Sequence, residues 1–229
     1  MISNNIDLIE QRIEAACSRA GRDRDSVTLI CVTKTKPIDM LREAYGKGQR
    51  DFGENKVQEI LRKKPELPQD IRWHMIGHLQ RNKVRQLIGQ TCMIHSVDSL
   101  RLLETISEES VKAGIVMPIL IEVNVAGEES KYGVPVPETE ALVREASLLK
   151  GVHVEGLMTI APYTEDPESN RVHFARLRQL AVDINEKCID NVSMGVLSMG
   201  MTGDFEVAIE EGATHVRIGT GIFGERIYT

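Results

Sequence analysis

The sequence lacks the features that would tie this chain together with disulfide bonds or anchor it in a membrane. Its four cysteines lie far apart and form no CxxC pair, which argues against a disulfide framework or a zinc site. No stretch approaches about 20 consecutive apolar residues, and residues 1–11 lack the basic and then apolar pattern of a secretion signal. We therefore predict a cytoplasmic protein with reduced, buried thiols.

An excess of positive charge is also absent, since the formal net charge is -6. Nucleic acids and anionic membranes are polyanions that gain nothing from an acidic surface, so we expect no broad non-specific binding to either. A local basic pocket for one phosphate remains compatible with this charge. The 229 residues, of which 41% are hydrophobic, suffice for a sizeable core, and we predict one domain over residues 1–229.

Apolar or alternating segments predict eight strands, at residues 27–33, 49–53, 71–77, 92–97, 118–125, 152–160, 192–198 and 215–219. Aliphatic spacing predicts helices between them, at residues 38–47, 55–63, 82–88, 99–113, 137–149, 167–187 and 203–211, and an extra helix over about 5–20 before the first strand. Strands that alternate with helices form parallel sheets. Eight such units favour an α/β fold, a single-domain (β/α)8 TIM-type barrel, over an open doubly wound sheet, which the rhythm alone does not exclude.

A lysine stands at the end of the first predicted strand, where a parallel barrel carries its functional residues. Residues 32–37 read Val-Thr-Lys-Thr-Lys-Pro, and strand alternation places Lys34 and Lys36 on the same side. A desolvated barrel mouth favours the neutral amine of a lysine, which Schiff-base formation with an aldehyde requires. Lys34 is therefore the candidate Schiff-base residue, and a lysine that simply extends into solvent is the alternative.

The last two predicted strands both end in glycine-rich segments, at residues 197–204 and 217–224. Glycines let backbone amides approach an anion closely, and the hydroxyls of Ser198 and Thr220 are additional donors. The loops after strands seven and eight are the usual phosphate site of a TIM barrel, although ordinary glycine turns are the alternative. Arg217 lies inside an apolar strand, so we expect a ligand or a carboxylate partner for it.

Two other motifs match known binding motifs in sequence but lack the structural context that those sites require. Gly219, Gly221 and Gly224 form G-x-G-x-x-G, but too few residues follow for the helix and second strand of a dinucleotide site. His74 and His78 have the spacing of metal ligands only on a helix, whereas this segment is predicted to be a strand. We therefore expect neither a nicotinamide site nor a metal site.

Five segments together resemble one known family, and they are spread over nearly the whole chain. They are Val-Thr-Lys-Thr-Lys-Pro at 32–37, Phe-Gly-Glu-Asn at 52–55, Trp-His-Met-Ile-Gly-His-Leu-Gln at 73–80, Leu-Ser-Met-Gly-Met at 197–201 and Val-Arg-Ile-Gly-Thr at 216–220. The family is YggS/PROSC, the pyridoxal phosphate homeostasis proteins. The resemblance implies a barrel like the N-terminal domain of alanine racemase that binds pyridoxal 5′-phosphate (PLP).

The resemblance also implies a set of cofactor contacts in this sequence. Lys34 would form the Schiff base, and Arg217 would lie near the pyridine nitrogen and keep it unprotonated, which limits carbanion chemistry. The phosphate would be held by Ser198, Gly219 and Thr220. By the same resemblance, Asn55, Met158 and Met201 are candidates for ring contacts.

The chain departs from alanine racemase in ways that bear on activity. The second racemase domain and the tyrosine that serves as the opposite acid/base have no counterpart, and Tyr45, Tyr132, Tyr163 and Tyr228 match no such motif. We therefore expect a PLP carrier or buffer in intracellular vitamin B6 homeostasis, with an indirect effect on amino-acid balance and no robust catalysis. A PLP-dependent amino-acid racemase of narrow specificity and a phosphate-sugar enzyme are the alternatives. We expect a monomer or weak dimer in transient contact with apo PLP enzymes.

Overall fold

A closed barrel of eight parallel strands forms the centre of the part of the chain that the computed structural model describes, residues 1–128 and 131–225. The strands of the sheet are β1 (Thr28–Val32), β2 (Asp51–Glu54), β3 (Arg72–Met75), β4 (Met93–Val97), β5 (Met117–Asn124), β6 (Val134–Pro135), β7 (Val152–Met158), β8 (Val192–Met201) and β9 (His215–Ile218). Each barrel strand pairs with its neighbours in chain order, and β9 pairs with β1 to close the ring. The predicted TIM-type barrel is confirmed; Tyr228 lies outside the described residues.

The two-residue strand β6 is the exception to this order. It pairs in parallel with the end of β5, where Val123 lies opposite Val134, while β5 and β7 pair directly as barrel neighbours. The sequence did not predict β6, because two residues that end in a proline carry no alternation to detect.

Helices surround the barrel: α1 (Ile2–Arg19), α2 (Ile38–Gly46), α3 (Val57–Lys63), α4 (Val84–Leu87), α5 (Leu100–Lys112), α6 (Val136–Ser147), α7 (Arg171–Asn185), α8 (Phe205–Glu210) and α9 (Thr220–Phe223). Every predicted helix is present with shifted ends. The segment predicted as 167–187 begins as a 3-10 turn, Pro167–Asn170, and that predicted as 82–88 reduces to the turn Arg81–Lys83 followed by α4. The four-residue helix α9 was not predicted.

The N-terminal helix α1 covers the outside of the barrel beside the last strand. Ile2, Ile6, Ile9 and Ile13 recur at three- and four-residue spacing and are buried, as expected of an amphipathic helix. This face packs against α8 and α9, and Asn5 donates a 2.8 Å hydrogen bond to the carbonyl of Ile222. The helix thus supports α9, which follows the glycine-rich end of β9.

The length and the composition of a helix determine whether it can cross a membrane. Among residues 1–128 and 131–225, no helix is both long enough and apolar enough to cross a bilayer.

Candidate functional site

The carboxyl ends of the barrel strands surround a cavity of about 450 Å³. Its lining comes from the ends of β1, β2, β3, β8 and β9 and from the loop after β7. Six of the eight predicted cofactor residues line it: Lys34, Asn55, Met201, Arg217, Gly219 and Thr220. Segments distant in the sequence therefore meet at this one place.

The other two predicted residues lie behind the cavity rather than in its lining. Met158 on β7 and Ser198 on β8 are opposite each other in the strand register, and both are fully buried. Their predicted contacts with a cofactor stay predictions.

The backbone around Lys34 forms a turn and not the extended strand that the alternation assumed. Strand β1 ends at Val32, the amide of Lys36 donates to the carbonyl of Thr33 at 3.0 Å, and φ of Thr35 is 63°. Lys36 therefore does not share the side of Lys34, so that prediction is wrong. Its ammonium group donates to the carbonyls of Phe223 and Gly224 at 3.1 and 2.9 Å, where it caps α9, whereas Lys34 lines the cavity.

Arg217 is held from within the barrel by neutral groups. Its guanidinium donates to Ser198 Oγ at 2.6 Å and to the carbonyl of Thr159 at 2.8 Å. Within the described residues, no carboxylate lies at ion-pair distance from Arg217. Of the two predicted partners, a carboxylate or a ligand, only the ligand stays a prediction. Burial lowers the pKa of Arg217 to about 10, and the negative charges of Glu122 and Asp204 oppose that shift.

A second ionisable group near this guanidinium is the buried carboxyl of Glu122 on β5. Burial and the negative charge of Asp98 raise its pKa to about 7, and the positive charge of Arg217 opposes the increase. Glu122 therefore titrates near neutral pH within the barrel.

Ser198 is the inner end of a buried hydrogen-bonded chain that crosses the barrel. Its hydroxyl lies 2.9 Å from His95 Nδ1, His95 Nε2 lies 3.0 Å from His74 Nδ1, and His74 Nε2 lies 3.0 Å from Asp51 Oδ1. Asp51 in turn accepts from Arg72 at the far end of the barrel. Sequence reasoning missed this chain, because it considered His74 only as a possible metal ligand, rejected that role, and assigned it no other.

The charges in this chain determine which atom donates. Burial raises the pKa of Asp51, but hydrogen bonds from His74 and Arg72 outweigh burial and lower it to about 2, so the carboxylate is ionised. Burial lowers the pKa of His95 well below its usual value and keeps the ring neutral. The ionised Asp51 therefore accepts from His74 Nε2. At the other end of the chain, Ser198 Oγ accepts from the guanidinium of Arg217, which has only donors.

The glycine-rich ends of β8 and β9 meet beside the cavity, as their predicted common role requires. Thr220 Oγ1 lies 3.2 Å from Thr202 Oγ1, which also accepts from the amide of Gly221 at 3.3 Å. A Cβ at Gly219 would lie 3.3 Å from Cβ of Val32, so a side chain there would crowd the strand that leads to Lys34. Thr202 was missed, although it stands between two glycines of the segment already singled out.

The two histidines once considered as metal ligands have separate surroundings. His74 is buried in the chain just described, whereas the ring of His78 stacks on Tyr132 at a centroid distance of 4.1 Å. Within the described ranges, no group of three metal-ligating side chains is suitably placed for an ion.

Comparison with known proteins identifies the family. Residues 5–227 match the family described as alanine racemase, N-terminal domain. The pyridoxal phosphate homeostasis protein of Aquifex aeolicus is 48% identical over 219 residues, which are 95% of each chain. The chain belongs to the YggS/PROSC family of pyridoxal phosphate homeostasis proteins. The family protein of the same name from Pseudomonas aeruginosa is 41% identical over 228 residues, which cover 99% of this chain and 96% of the relative.

A solved member of this family has the same architecture. PipY of Synechococcus elongatus, solved with PLP bound, is 34% identical and superimposes with a TM-score of 0.84 over 98% of this chain and 100% of its own. The family resemblance seen in the five sequence segments is therefore confirmed.

Proposed function

We propose that this chain binds PLP in the cavity at the barrel mouth, as a Schiff base with Lys34, and that it carries the cofactor for intracellular vitamin B6 homeostasis. The observation that carries the proposal is the convergence of Lys34, Arg217 and the Gly219–Thr220 turn on one cavity. The names of the relatives and the PLP-bound neighbour support the same ligand.

The cavity suits the chemical groups of PLP. Its volume of about 450 Å³ lies within the range of small-molecule sites. PLP supplies an aldehyde, to which a lysine amine adds with loss of water. Lys34 presents a primary amine, and the glycine turn with the hydroxyls of Thr202 and Thr220 presents donors suited to a phosphate. We assign Asn55 and Met201 to ring contacts on the same lining.

We assign supporting roles to Met158 and Ser198, the two predicted contact residues that do not line the cavity. Met158 is fully buried opposite Ser198 in the strand register, and Ser198 accepts a hydrogen bond from the cavity residue Arg217. A guanidinium beside the pyridine nitrogen disfavours protonation of that nitrogen, which weakens the ring as an electron sink. This property suits a carrier better than an enzyme.

An amino-acid racemase of narrow specificity is the second candidate, because a second potential acid/base lines the cavity. That residue is Tyr163, in the loop after β7. It is 94% exposed, so packing does not fix the phenol against a bound ligand. Two-face proton transfer requires a positioned second base, and we therefore favour the carrier.

We further propose the setting in which this carrier works. It acts in the cytoplasm as one barrel domain over residues 1–229, as a monomer or weak dimer, and delivers PLP to apo enzymes through transient contacts. An indirect effect on amino-acid balance follows from that delivery.

The proposal is tested by adding PLP to the purified protein and following the visible Schiff-base absorbance, then incubating the loaded protein with D- and L-amino acids in deuterated water. We expect the absorbance without exchange of the α-proton. Absorbance together with steady α-proton exchange would favour the racemase, and absence of the absorbance would remove PLP carriage by this mode.

A further inference from the structure

The backbone on both sides of Lys34 is held by two charged side chains of α3. Lys63 Nζ donates to the carbonyl of Thr33 at 2.8 Å, and the amide of Thr35 donates to Glu59 Oε2 at 3.2 Å. Glu59 and Lys63 are one helical turn apart and form an ion pair of 2.7 Å. One ion pair on one helix therefore contacts the peptide groups that flank the candidate Schiff-base lysine.

Lys63 is fully buried, which is unusual for a lysine and requires polar partners. A second carboxylate, Glu54 at the end of β2, is equally buried and lies 2.7 Å from Lys63 Nζ. The hydroxyl of Thr33 donates to the same Glu54 oxygen at 2.7 Å. A buried ion pair is a weak source of net stability, so the position of this cluster directly beneath the Lys34 turn needs a further explanation.

The charges within the cluster are unequal. Burial raises the pKa of Glu54, although the charge of Lys63 opposes the increase. Partial burial also acts to raise the pKa of Glu59, but the hydrogen bond and charge of Lys63 outweigh it and lower the pKa. Glu59, which accepts from the amide of Thr35, is therefore the more firmly ionised of the two carboxylates.

The turn itself has a conformation that its sequence disfavours. Thr35 is β-branched and has a φ of 63°, in the left-handed region that such residues rarely adopt. Strain of this kind persists only where the surrounding structure enforces it. The hydrogen bond from the Thr35 amide to Glu59 is one such restraint.

We propose that Glu59 and Lys63 are positioning residues that hold the strained turn at Thr33–Thr35 and thereby present the Lys34 amine to the cavity. The inference rests on the proposed Schiff base at Lys34. A lysine whose backbone is already fixed loses less conformational freedom when its amine reacts, so the restraint favours Schiff-base formation without contacting the ligand.

Glu59 offers the informative substitution, because it lies at the partly exposed edge of the cluster, whereas a change at buried Lys63 risks unfolding. Glu59→Ala removes the acceptor for the Thr35 amide. Glu59→Gln keeps an acceptor oxygen but removes the charge that pairs with Lys63. Glu66→Ala, an exposed change in the 3-10 turn after α3, is the matched control.

Amide hydrogen exchange measures how firmly the turn is held, and the measurement needs no cofactor. We expect Glu59→Ala to accelerate exchange at the Thr35 amide by about tenfold, because a hydrogen bond to a charged group is lost, and Glu66→Ala to leave it unchanged. Glu59→Gln should restore most of the protection. Equal exchange in the wild type and Glu59→Ala would overturn the inference.

Ligand binding measures how this restraint affects Schiff-base formation at Lys34. Pyridoxamine 5′-phosphate carries an amine in place of the aldehyde, so it measures binding that needs no Schiff base. We expect Glu59→Ala to bind it within about twofold of the wild type but to form the PLP Schiff base about tenfold less favourably. Equal losses for both ligands, or no loss for either, would contradict positioning of Lys34. If wild-type protein forms no Schiff base, the proposed function fails, and amide exchange still decides whether Glu59 restrains the turn.

Discussion

The guanidinium of Arg217 donates a 2.6 Å hydrogen bond to Ser198, whose hydroxyl also lies 2.9 Å from His95 Nδ1. Ser198 thus connects a cavity residue to the buried chain that continues through His74 to Asp51. A guanidinium has no lone pair and can only donate, so Ser198 Oγ accepts from Arg217 while it also bonds to His95. The orientation of the guanidinium at the cavity is therefore fixed from inside the barrel.

Ser198→Ala tests this arrangement. The change removes the acceptor for Arg217 and the hydrogen-bond partner of His95 Nδ1, so we expect the free energy of unfolding in urea to fall by about 1–3 kcal/mol. Ser193→Ala on the same strand is the control, since its hydroxyl makes only long contacts of 3.4 and 3.5 Å.

The same variant separates two roles for Ser198. If the hydroxyl supports Arg217, Ser198→Ala weakens the binding of both PLP and pyridoxal, which lacks the phosphate. A loss confined to PLP would instead indicate the direct phosphate contact expected from the family resemblance.

Acid sensitivity should follow from the buried histidines. Burial and the charge of His74 lower the pKa of His215 to about 4 in the folded state, against an ordinary value of 6.5. The unfolded chain therefore takes up the proton first as the pH falls, so the folded state loses stability below about pH 6.5, by about 3 kcal/mol between pH 8 and pH 4 from this group. Urea unfolding at a series of pH values measures the slope. His215→Gln should flatten it, and an unchanged slope in that variant would contradict the assignment.

Lys36 should stabilise the site without joining its chemistry. Lys36→Met keeps the apolar stem but removes the hydrogen bonds to the carbonyls of Phe223, Gly224 and Glu225 at the C-terminal end of α9, and we expect a loss of about 1 kcal/mol of unfolding free energy. The PLP Schiff base should still form, with a lower affinity. Complete loss of the Schiff-base absorbance in a folded Lys36→Met protein would assign Lys36 a chemical role.

Close packing at Gly77 places Asn55 at the cavity. A Cβ there would lie 2.6 Å from both Cα and the carbonyl oxygen of Asn55, so Gly77→Ala should destabilise the fold by about 1–3 kcal/mol and weaken PLP binding. Gly46→Ala is the control, because Gly46 is the last residue of α2 and a Cβ there meets nothing within 4 Å. We expect that change to stabilise the protein by about 0.5–1 kcal/mol in thermal unfolding. Equal effects at the two positions would refute this explanation.

The barrel was predictable because the sequence patterns that indicate its strands and helices are local. Each strand and helix has its own periodicity, and the cavity lining follows from the rule that strand ends carry function. Alternation failed at Lys36, because strand β1 ends at Val32 and a turn replaces the extended backbone. Local sequence patterns do not locate the end of such a strand to within two residues.

The buried polar clusters were not predictable for a different reason. His95 and Ser198 are 103 residues apart, and only closure of the barrel joins them. Lys63 reads as an ordinary helix-surface lysine in sequence, and its burial depends on the path of β1 and β2 beneath it. Contacts between residues so far apart in sequence can be identified only in the folded structure.

The central claim is that Lys34 carries PLP, and the most direct measurement is borohydride reduction of the PLP-loaded protein followed by proteolysis and mass analysis of the lysine peptides. Since Lys34 and Lys36 share a segment, the wild type is compared with Lys34→Ala and Lys36→Ala. The account predicts one reduced adduct on Lys34, retained in Lys36→Ala and absent from Lys34→Ala. An adduct that persists in Lys34→Ala, or one located on a different lysine of the wild type, would contradict it.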